Sequence, residues 1–382
     1  MSWDLWLMAG EASGDLHGGR LAEALLQRRA GLRIGGVGGA RMRAAGVRTW
    51  FDVAELSVVG FAGVGAVLPR LFRIYRRVRA SLEREPPRVL VLVDYPGFHL
   101  LLARTASRRG VRVVYFIPPQ VWAWWPGRAK TLARCTRKVL TIFPFEEPLL
   151  RGEGVDAEYV GNPVAFSLRS APAREEARRT LGLPEGGTVV SLLPGSRPRE
   201  LRDLLPVLVG AASRIREEMP ETRFLLPAAP SLGAARVRSA LGDSMPWLRV
   251  TEGGAPEALR ASDVALVSSG TATLEAALLG TPMVVAYKVG AVTHFIGRHF
   301  LARVNHISLA NLLCGKGVVP ELIEGEARPE RVAEEALSLL TNGERAARMR
   351  EELSAVGPLL GTGDPFGRAA DRVLEVVEEG RL

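Results

Sequence analysis

Short apolar runs alternate with amphipathic stretches along most of the chain. In the first half, the runs that predict β-strands are Leu5–Met8, Arg33–Val37, Val89–Val93, Val111–Phe116, Val139–Ile142 and Glu158–Val160. Stretches with helical spacing lie between several of them, namely Gly19–Arg29, His99–Arg109 and Arg128–Arg134. Short apolar runs without strict alternation, separated by helices, are typical of a parallel sheet covered on both faces.

A second series of strands follows the polar stretch Ser170–Gly187. Its predicted strands are Thr188–Leu193, Arg223–Leu226, Leu248–Val250, Val264–Val267 and Met283–Ala286. The pattern predicts an α/β protein with two doubly wound, Rossmann-like domains facing a cleft, where ligands bind beyond the carboxyl ends of the strands. We expect the domains to span residues 1–168 and 169–340, with C-terminal helices over 341–382 that pack back on the N-terminal domain or are exchanged in a dimer.

Composition narrows the class of protein. The 382 residues are 47% hydrophobic and 24% charged, which excludes a disordered or fibrous chain. The two cysteines, Cys135 and Cys314, form no CxxC pair, which argues against a disulfide scaffold or a zinc site and fits a reducing cytoplasm. We expect no signal peptide, because Asp4 and Glu11 interrupt the first apolar stretch.

The longest uncharged apolar run, Leu56–Pro69, is shorter than the roughly 20 residues that cross a bilayer. The sequence therefore predicts a protein that is soluble or attached to a membrane from one side. Its net charge of +9 comes almost entirely from arginine. That excess has two open explanations: a coding bias, or a surface that meets phosphates, nucleotides or acidic lipids.

Glycine-rich turns raise the question of a nucleotide site. Around Gly36–Arg41 the third glycine of the dinucleotide fingerprint is replaced by Arg41, and Gly10–Gly18 fits neither that fingerprint nor a P-loop. Both a redox Rossmann enzyme and a P-loop NTPase lose support, and a plain turn explains Gly35–Gly39 as well.

The second half offers two better phosphate sites. Gly195, Ser196 and Arg197 follow a predicted strand, where the glycine permits close backbone approach and the other two present donors. Ser269, Gly270 and Thr271 begin a predicted helix, whose free N–H groups attract an anion, although simple N-capping explains them equally well. Glu275, one turn later, is placed to accept hydrogen bonds from ribose hydroxyls, so the motif predicts a nucleotide diphosphate site.

The first half offers acid–base chemistry. Asp94 directly follows the buried strand Val89–Val93, where burial would raise its pKa towards that of a useful base, although such aspartates also cap turns. The loop after the first strand carries four polar side chains, those of Glu11, Ser13, Asp15 and His17. Their density favours a binding loop, and the alternative is a helix start capped by Ser13 or Asp15.

An amphipathic stripe begins at Val64 and continues through Val67, Leu68, Leu71, Tyr75 and Val78. Most of the opposite arc is basic, with Arg70, Arg73, Arg76 and Arg77. It predicts either a helix packed on its own core or an interfacial helix with a basic face for acidic headgroups. The tryptophan-rich segment 122–126, which begins with Trp122, is a second candidate interface.

Eight motifs together resemble lipid-A-disaccharide synthases, bacterial glycosyltransferases that join two acylated glucosamines. They are Ala9–Asp15, Val93–Pro96, Pro119–Trp124, Phe143–Glu146, Gly161–Pro163, Leu193–Arg197, Ser269–Glu275 and Ser308–Leu313. The motifs occur in the family's order over nearly the whole chain, although single motifs are shared with other two-domain glycosyltransferases. The arginine richness and Trp125–Gly127 depart from the family's pattern.

The resemblance implies an inverting transfer that needs no metal and no cofactor. UDP-2,3-diacylglucosamine and 2,3-diacylglucosamine 1-phosphate would give the β-1,6-linked disaccharide phosphate and UDP. The family's presumed base corresponds to Asp94, its glycine-loop glutamate to Glu11 and its diphosphate-binding arginine to Arg197. Residues similar to its UDP contacts are Ser269, Thr271, Glu275 and Asn311. The first domain would then bind the acceptor and the second the donor. The candidate acceptor-loop residues are Ser13, Asp15, His17 and Trp122.

The resemblance also implies a peripheral enzyme on the cytoplasmic face of the inner membrane, and a homodimer that exchanges C-terminal helices in some members. Two alternatives stay open. One keeps the fold but makes the chain a UDP-N-acetylglucosamine epimerase or another UDP-sugar transferase. The other is a nucleotide-sugar sensor without catalysis. The sequence contains no aromatic-and-basic RNA signature, so no nucleic-acid partner is expected.

Overall fold

The computed structural model describes residues 3–53, 64–121, 127–242, 245–288 and 306–379, without the side chains of residues 64–68 and 70. The chain divides into two compact units. The first comprises Met1–Phe166 and Thr362–Leu382, and the second comprises Ser167–Gly361. Residues 343–361 thus belong to the second unit, and the last described helix belongs to the first.

The first unit is built on a parallel sheet of seven strands in the order β3-β2-β1-β4-β5-β6-β7. The strands are β1 Leu5–Ala9, β2 Ile34–Val37, β3 Arg48–Phe51, β4 Val89–Val93, β5 Arg112–Phe116, β6 Lys138–Thr141 and β7 Ala157–Tyr159. Side chains alternate along β1, so that Leu5 and Leu7 enter one core cluster and Trp6 and Met8 the other. The strand order reverses between β1 and β4, which makes their carboxyl ends the switch point of this sheet.

Helices cover both faces of this sheet. They are α1 Ala12–Arg28, α2 Ala40–Ala44, α3 Val64–Arg84, α4 Pro96–Ser107, α5 Gly127–Cys135, α6 Glu146–Gly152, α7 Pro163–Ser167 and, from the end of the chain, α17 Pro365–Glu378. The last helix packs against α1: Phe366 and Val373 are buried in the α1 core cluster, and Asp371 accepts a 2.5 Å ion pair from Arg28. The C-terminal residues therefore complete the core of the first unit.

Helix α3 buries the arc that carries the apolar stripe. Ile74, Val78 and Leu82 are at most 2% exposed, and Leu71 and Tyr75 pack partly buried against the same cluster. For Leu71 the packing therefore supports the core interpretation of the stripe. The side chains of Val64, Val67, Leu68 and Arg70 lie outside the described residues.

The second unit has a parallel sheet of six strands in the order β10-β9-β8-β11-β12-β13. The strands are β8 Val189–Leu193, β9 Arg223–Ala228, β10 Leu248–Glu252, β11 Val264–Ser268, β12 Met283–Tyr287 and β13 Glu321–Ile323. The helices are α8 Arg174–Thr180, α9 Pro198–Glu218, α10 Ala234–Leu241, α11 Ala255–Ala261, α12 Thr271–Leu278, α13 Leu309–Cys314, α14 Pro329–Thr341, α15 Gly343–Leu353 and α16 Val356–Leu360. Short 3₁₀ turns cover Leu168–Ser170 and Glu324–Glu326.

The predicted fold class is confirmed: each unit is a doubly wound parallel α/β sheet. Strands β3 and β13 were not among the predicted strands. Both are edge strands, and β3 (RTWF) has no fully buried residue, so it lacks the continuous apolar run of the central strands. No helix among the described residues is both long and apolar enough to span a bilayer.

Candidate functional site

The carboxyl ends of β1 and β4 bring two of the predicted acidic residues to one place. The strands pair in parallel with Ala9 opposite Val93, so the residues that follow them leave the sheet side by side. Asp94 directly follows β4, and Glu11 follows β1 after Gly10; both acidic residues are partly exposed. A switch point of a doubly wound sheet is where such proteins bind ligands.

Tyr95 lies over the start of the first glycine loop. A Cβ on Gly10 would come within 2.1 Å of the Tyr95 ring, so only glycine fits there. Burial and the nearby charge of Glu11 raise the pKa of Tyr95, and Ser13 donates a 3.1 Å hydrogen bond from Oγ to Oε1 of Glu11. The structure thus gathers Glu11, Ser13 and Tyr95 beside Asp94.

Asp94 begins an unusual turn. Asp94 and Tyr95 have φ angles of 52° and 53°, two consecutive left-handed residues that are not glycine. Each such residue costs on the order of 1 kcal/mol or more and persists only when its surroundings hold it. The Asp94 N–H continues the sheet by donating to the carbonyl of Phe116 at 3.0 Å.

Two fully buried side chains hold the Asp94 carbonyl. The His99 Nδ1–H donates to it at 2.6 Å and the Tyr115 hydroxyl at 2.8 Å. Burial lowers the pKa of His99 to about 4, so its ring is neutral near pH 7. Burial, aided by the charge of Asp94, raises the pKa of Tyr115 well above its ordinary range and keeps its hydroxyl protonated. We call His99 and Tyr115 the carbonyl clamp.

Asp15 has a structural role. Its Oδ1 accepts the N–H of Gly39 at 2.6 Å and of Met42 at 3.1 Å, and its Oδ2 accepts the N–H of Arg41 at 3.0 Å. The side chain is buried, and a Cβ on Gly39 would lie 2.6 Å from Oδ2. Asp15 therefore fixes the start of α2 and the glycine-rich turn after β2. It does not cap its own helix, which was the capping alternative: α1 has Glu11 at its N-cap position and no side-chain cap.

His17 faces the C-terminal helix. Its ring stacks on Phe366 with centroids 6.1 Å apart, and its buried Nδ1 has no hydrogen-bond partner among the described residues. Burial, with a smaller effect of the Arg20 charge, lowers the pKa of His17 to about 4. Trp122, the remaining predicted acceptor-loop residue, lies outside the described residues.

In the second unit, Glu200 binds the loop after β8, and the sequence analysis did not predict this residue. Oε2 of Glu200 accepts the N–H groups of Ser196 at 2.9 Å and Arg197 at 3.2 Å. A Cβ on Gly195, whose φ is +113°, would lie 2.3 Å from that oxygen. Glu200 thus accepts the loop N–H groups through Oε2, and its Oε1 forms a 3.3 Å ion pair with Nη1 of Arg197. The Arg197 side chain is 73% exposed, so its remaining N–H groups still face solvent. Glutamate at the third position of a helix is the signature of a capping box, which is the signal in the sequence.

The start of α12 follows β11 as predicted. Gly270 has a φ of 139°, and the exposed Thr271 begins the helix, whose first N–H groups lack partners within it. The hydroxyl of Ser269 is not directed to the helix: it donates to the carbonyl of Ile307 at 3.0 Å. Ser269 therefore fixes the segment that leads to α13.

Glu275 lies one turn into α12. Burial raises its pKa to about 7. Within the part of the chain that the structure describes, its carboxylate makes no hydrogen bond and no ion pair. A partly buried carboxyl group of this kind has unused capacity to accept hydrogen bonds from a ligand.

Asn311 is 1% exposed and fully bonded. Its Oδ1 accepts the N–H groups of Val318 and Val319 at 2.8 and 2.9 Å, and its Nδ2 donates to the Val319 carbonyl and to Glu321 at 2.9 and 2.8 Å. Glu321 also accepts from Ser308 through its N–H and its hydroxyl, at 2.9 and 2.6 Å. The Asn311 amide thus has no donor or acceptor left for a ligand.

Comparison with known proteins identifies related sequences over the whole chain. The family model described as lipid-A-disaccharide synthetase matches residues 5–357. The lipid-A-disaccharide synthase of Syntrophus aciditrophicus (strain SB) is 42% identical over 374 residues, covering 98% of this chain and 97% of that protein. The protein of the same name from Geobacter sulfurreducens is 41% identical over 373 residues, covering 98% and 97%.

Solved structures share the architecture. Staphylococcus aureus MnaA in a co-structure with UDP has a TM-score of 0.67 at 11% identity, covering 100% of this chain and 97% of that chain. The UDP-GlcNAc 2-epimerase of Neisseria meningitidis bound to UDP-GlcNAc has a TM-score of 0.61 at 13% identity, covering 99% and 100%. CalG4, the calicheamicin glycosyltransferase, has a TM-score of 0.60 at 16% identity, covering 100% of both chains. These likenesses show the fold alone, the glycosyltransferase B-type architecture.

Proposed function

This chain belongs to the lipid-A-disaccharide synthase family and is therefore a glycosyltransferase, and from this premise we propose its reaction. It transfers the sugar of UDP-2,3-diacylglucosamine to 2,3-diacylglucosamine 1-phosphate, which gives the β-1,6-linked disaccharide 1-phosphate and UDP. The observation that carries the proposal is the pair of acidic residues, Glu11 and Asp94, at the switch point of a sheet inside the region matched by the family. The fold is shared with epimerases, so the relatives' names decide against that alternative.

Asp94 acts as the general base. It takes the proton of the acceptor 6-hydroxyl while that oxygen forms a bond to the anomeric carbon and the bond from that carbon to UDP breaks. Attack from the face opposite UDP inverts the configuration. A positioned base contributes roughly 10²- to 10⁴-fold to the rate. The carbonyl clamp supports this role, because it fixes the backbone of Asp94 in a conformation that the residue does not adopt freely.

Glu11 orients the acceptor. Its carboxylate, placed by the helix start and by Ser13, has acceptor capacity for a sugar hydroxyl beside Asp94. Asp15 and His17 support this loop and do not bind the acceptor themselves. Asp15 fixes the neighbouring glycine-rich turn, and His17 packs on the C-terminal helix.

The departing UDP is stabilised by the second unit without a metal ion. The exposed guanidinium of Arg197 and the hydroxyl of Ser196 meet the diphosphate, together with the free N–H groups at Gly270 and Thr271. Donors of this kind stabilise the charge that develops as the bond to UDP breaks. Glu275 accepts the ribose hydroxyls, whereas Ser269 and Asn311 position the segments around the nucleotide.

The experiment that tests this function is incubation of the full chain with both substrates in the presence of EDTA, with the lipid products resolved by mass spectrometry. We expect the disaccharide 1-phosphate and one UDP for each disaccharide. Absence of the disaccharide with and without EDTA would overturn the transferase function. Activity that EDTA abolishes would remove only the metal-independent part.

The acyl chains of both substrates require contact with a bilayer, so we propose a peripheral location at an anionic inner-membrane surface. The first turn of α3, with Val64, Val67 and Leu68, supplies the apolar contact, and Arg70 and Arg73 supply the charge. Leu71 is excluded from this set because it packs on the core.

Vesicle flotation tests the membrane contact. The double substitution Val67→Ser and Leu68→Ser should release the chain from anionic vesicles, because it removes the buried apolar area that holds such a helix. Leu101→Ser, at an exposed leucine of α4, is the matched control and should leave flotation unchanged. Equal flotation of the double variant and the wild type would contradict a membrane contact through the first turn of α3.

A further inference from the structure

A groove with a volume of about 650 Å³ lies between the end of β3 and helix α3 in the first unit. Its walls combine aromatic rings, among them Phe51 and Phe72, with four arginines of the helix: Arg73, Arg76, Arg77 and Arg84. Phe72 is 60% exposed, a large apolar surface beside concentrated positive charge. Such a lining fits an anionic ligand that also has an apolar part.

Two of the guanidinium groups are held in place by the aromatic rings. Arg76 lies 5.8 Å above the centre of the Phe72 ring, and Arg77 lies 5.5 Å above that of Phe51. A guanidinium in such a cation–π contact keeps N–H groups that can form the forked contact a phosphate accepts. The groove is thus organised before any ligand arrives.

The charge of the groove is not neutralised by the described part of the chain. Among the described residues, Arg73, Arg76 and Arg77 form no ion pair with a carboxylate. Arg79, on the same helix but outside the groove, pairs with Glu83 at 3.4 Å. Asp52, next to Phe51, is engaged by Arg43 at 2.7 Å. In the described residues Arg76 and Arg77 thus have no counter-charge, which makes them suited to an anionic ligand.

The groove borders the edge of the sheet that carries the proposed base, Asp94. Phe51 ends β3, and because the sheet is parallel this end lies at the same edge as Glu11 and Asp94. Three strand spacings separate β3 from β4, about 14 Å at about 4.8 Å each. The end of β3 that borders the groove and the proposed base are therefore on the same edge of one sheet.

We propose that this groove binds the phosphate of the lipid acceptor. This inference rests on the proposed function, in which the second unit receives the donor's diphosphate and the acceptor meets Asp94 in the first unit. A phosphate monoester carries a charge of about −1.5 to −2 near pH 7, which matches two or three guanidinium groups. The exposed Phe72 ring offers a surface to the sugar or to the beginning of an acyl chain.

The test combines a change in the protein with a change in the acceptor. The double variant Arg76→Gln, Arg77→Gln is assayed in neutral detergent micelles with the phosphorylated acceptor and with the same acyl glucosamine lacking its phosphate. We expect kcat/KM for the phosphorylated acceptor to fall about 10- to 100-fold, the size typical of lost hydrogen bonds to a charged group. For the acceptor without phosphate, and for the KM of the donor, the variant should match the wild type.

Arg79→Gln is the matched control, since Arg79 is a paired arginine of the same helix outside the groove, and it should change neither value. An equal loss with both acceptors, or no loss with the phosphorylated one, would overturn the proposal. A loss confined to anionic vesicles and absent in neutral micelles would assign the arginines to membrane headgroups instead, which also overturns it.

Direct titration of the phosphorylated acceptor into the chain keeps the inference separate from the transferase reaction. Weaker binding to the double variant than to wild type supports the groove even where no disaccharide forms. Equal binding contradicts the groove, whatever the activity of the wild type. Absence of product with normal, groove-dependent binding would count against the proposed function alone.

Discussion

At the scale of single residues, the buried carboxyl group of Glu275 gives the folded chain a testable pH dependence. Burial raises it to about 7 in the folded chain, against an ordinary value of 4.5. The folded state therefore holds a proton on Glu275 that the unfolded state has released, and the contribution of this group to stability falls as the pH rises from about 4.5 to about 7.

Glu275→Gln removes this dependence, because the amide does not ionise. We expect the variant to be more stable than the wild type at pH 8, by on the order of 2 kcal/mol, and nearly equal to it at pH 4. Thermal unfolding of both proteins across this range measures the difference. A difference that stays constant with pH would contradict the raised pKa.

The sequence predicted most polar residues of the candidate site, but it did not show which of them bind a ligand and which hold the backbone in place. Asp15 and Asn311 stand in motifs, yet both side chains are buried and bonded to backbone groups of other segments. Those partners lie 7 to 27 positions away along the chain, and no local pattern specifies them. Glu200 was detectable as a capping residue, whereas Glu321 had no signal because its partners meet only in the folded chain.

At the scale of elements, the central strands and long helices were predictable because their apolar periodicity is continuous. Strands β3 and β13 were not, because an edge strand needs little apolar surface. Helix α3 shows the limit of periodicity. The stripe predicted one apolar face, and the structure packs Leu71, Tyr75 and Val78 of that face against the core, while the groove lies on the arc of Phe72, Arg73 and Arg76.

The turn from β4 into α4 depends on the carbonyl clamp. Tyr115→Phe removes one of the two side-chain hydrogen bonds to the Asp94 carbonyl and frees a strained turn to relax. We expect kcat to fall about 10-fold, with the KM of both substrates little changed, because misplacing a base by a fraction of an ångström affects the reaction more than binding.

Steady-state kinetics over both substrates, with a thermal melt of each protein, makes the comparison. The matched control is Tyr75→Phe in the same unit. It removes the partly buried 2.9 Å hydrogen bond between the hydroxyl groups of Tyr75 and Thr105 and should leave kcat unchanged. If Tyr115→Phe lowers kcat only as much as that control does, Tyr115 has no positioning role.

At the scale of the whole molecule, the proposed function divides the chemistry between the two units. The first carries the acidic pair, Glu11 and Asp94, and the second carries Arg197, the start of α12 and Glu275. The two doubly wound sheets were predictable from the order of strands and helices. That the C-terminal helix α17 completes the core of the first unit depends on contacts between distant segments, such as that of Arg28 with Asp371.

The most direct test of this division is the turnover of Asp94→Asn at saturating concentrations of both substrates, measured together with its affinity for UDP. We predict that disaccharide formation falls about 10²- to 10⁴-fold while UDP binds as tightly as to the wild type, because the substitution removes only the base. Turnover equal to that of the wild type would contradict the account, and so would a loss of UDP affinity that matches the loss of turnover.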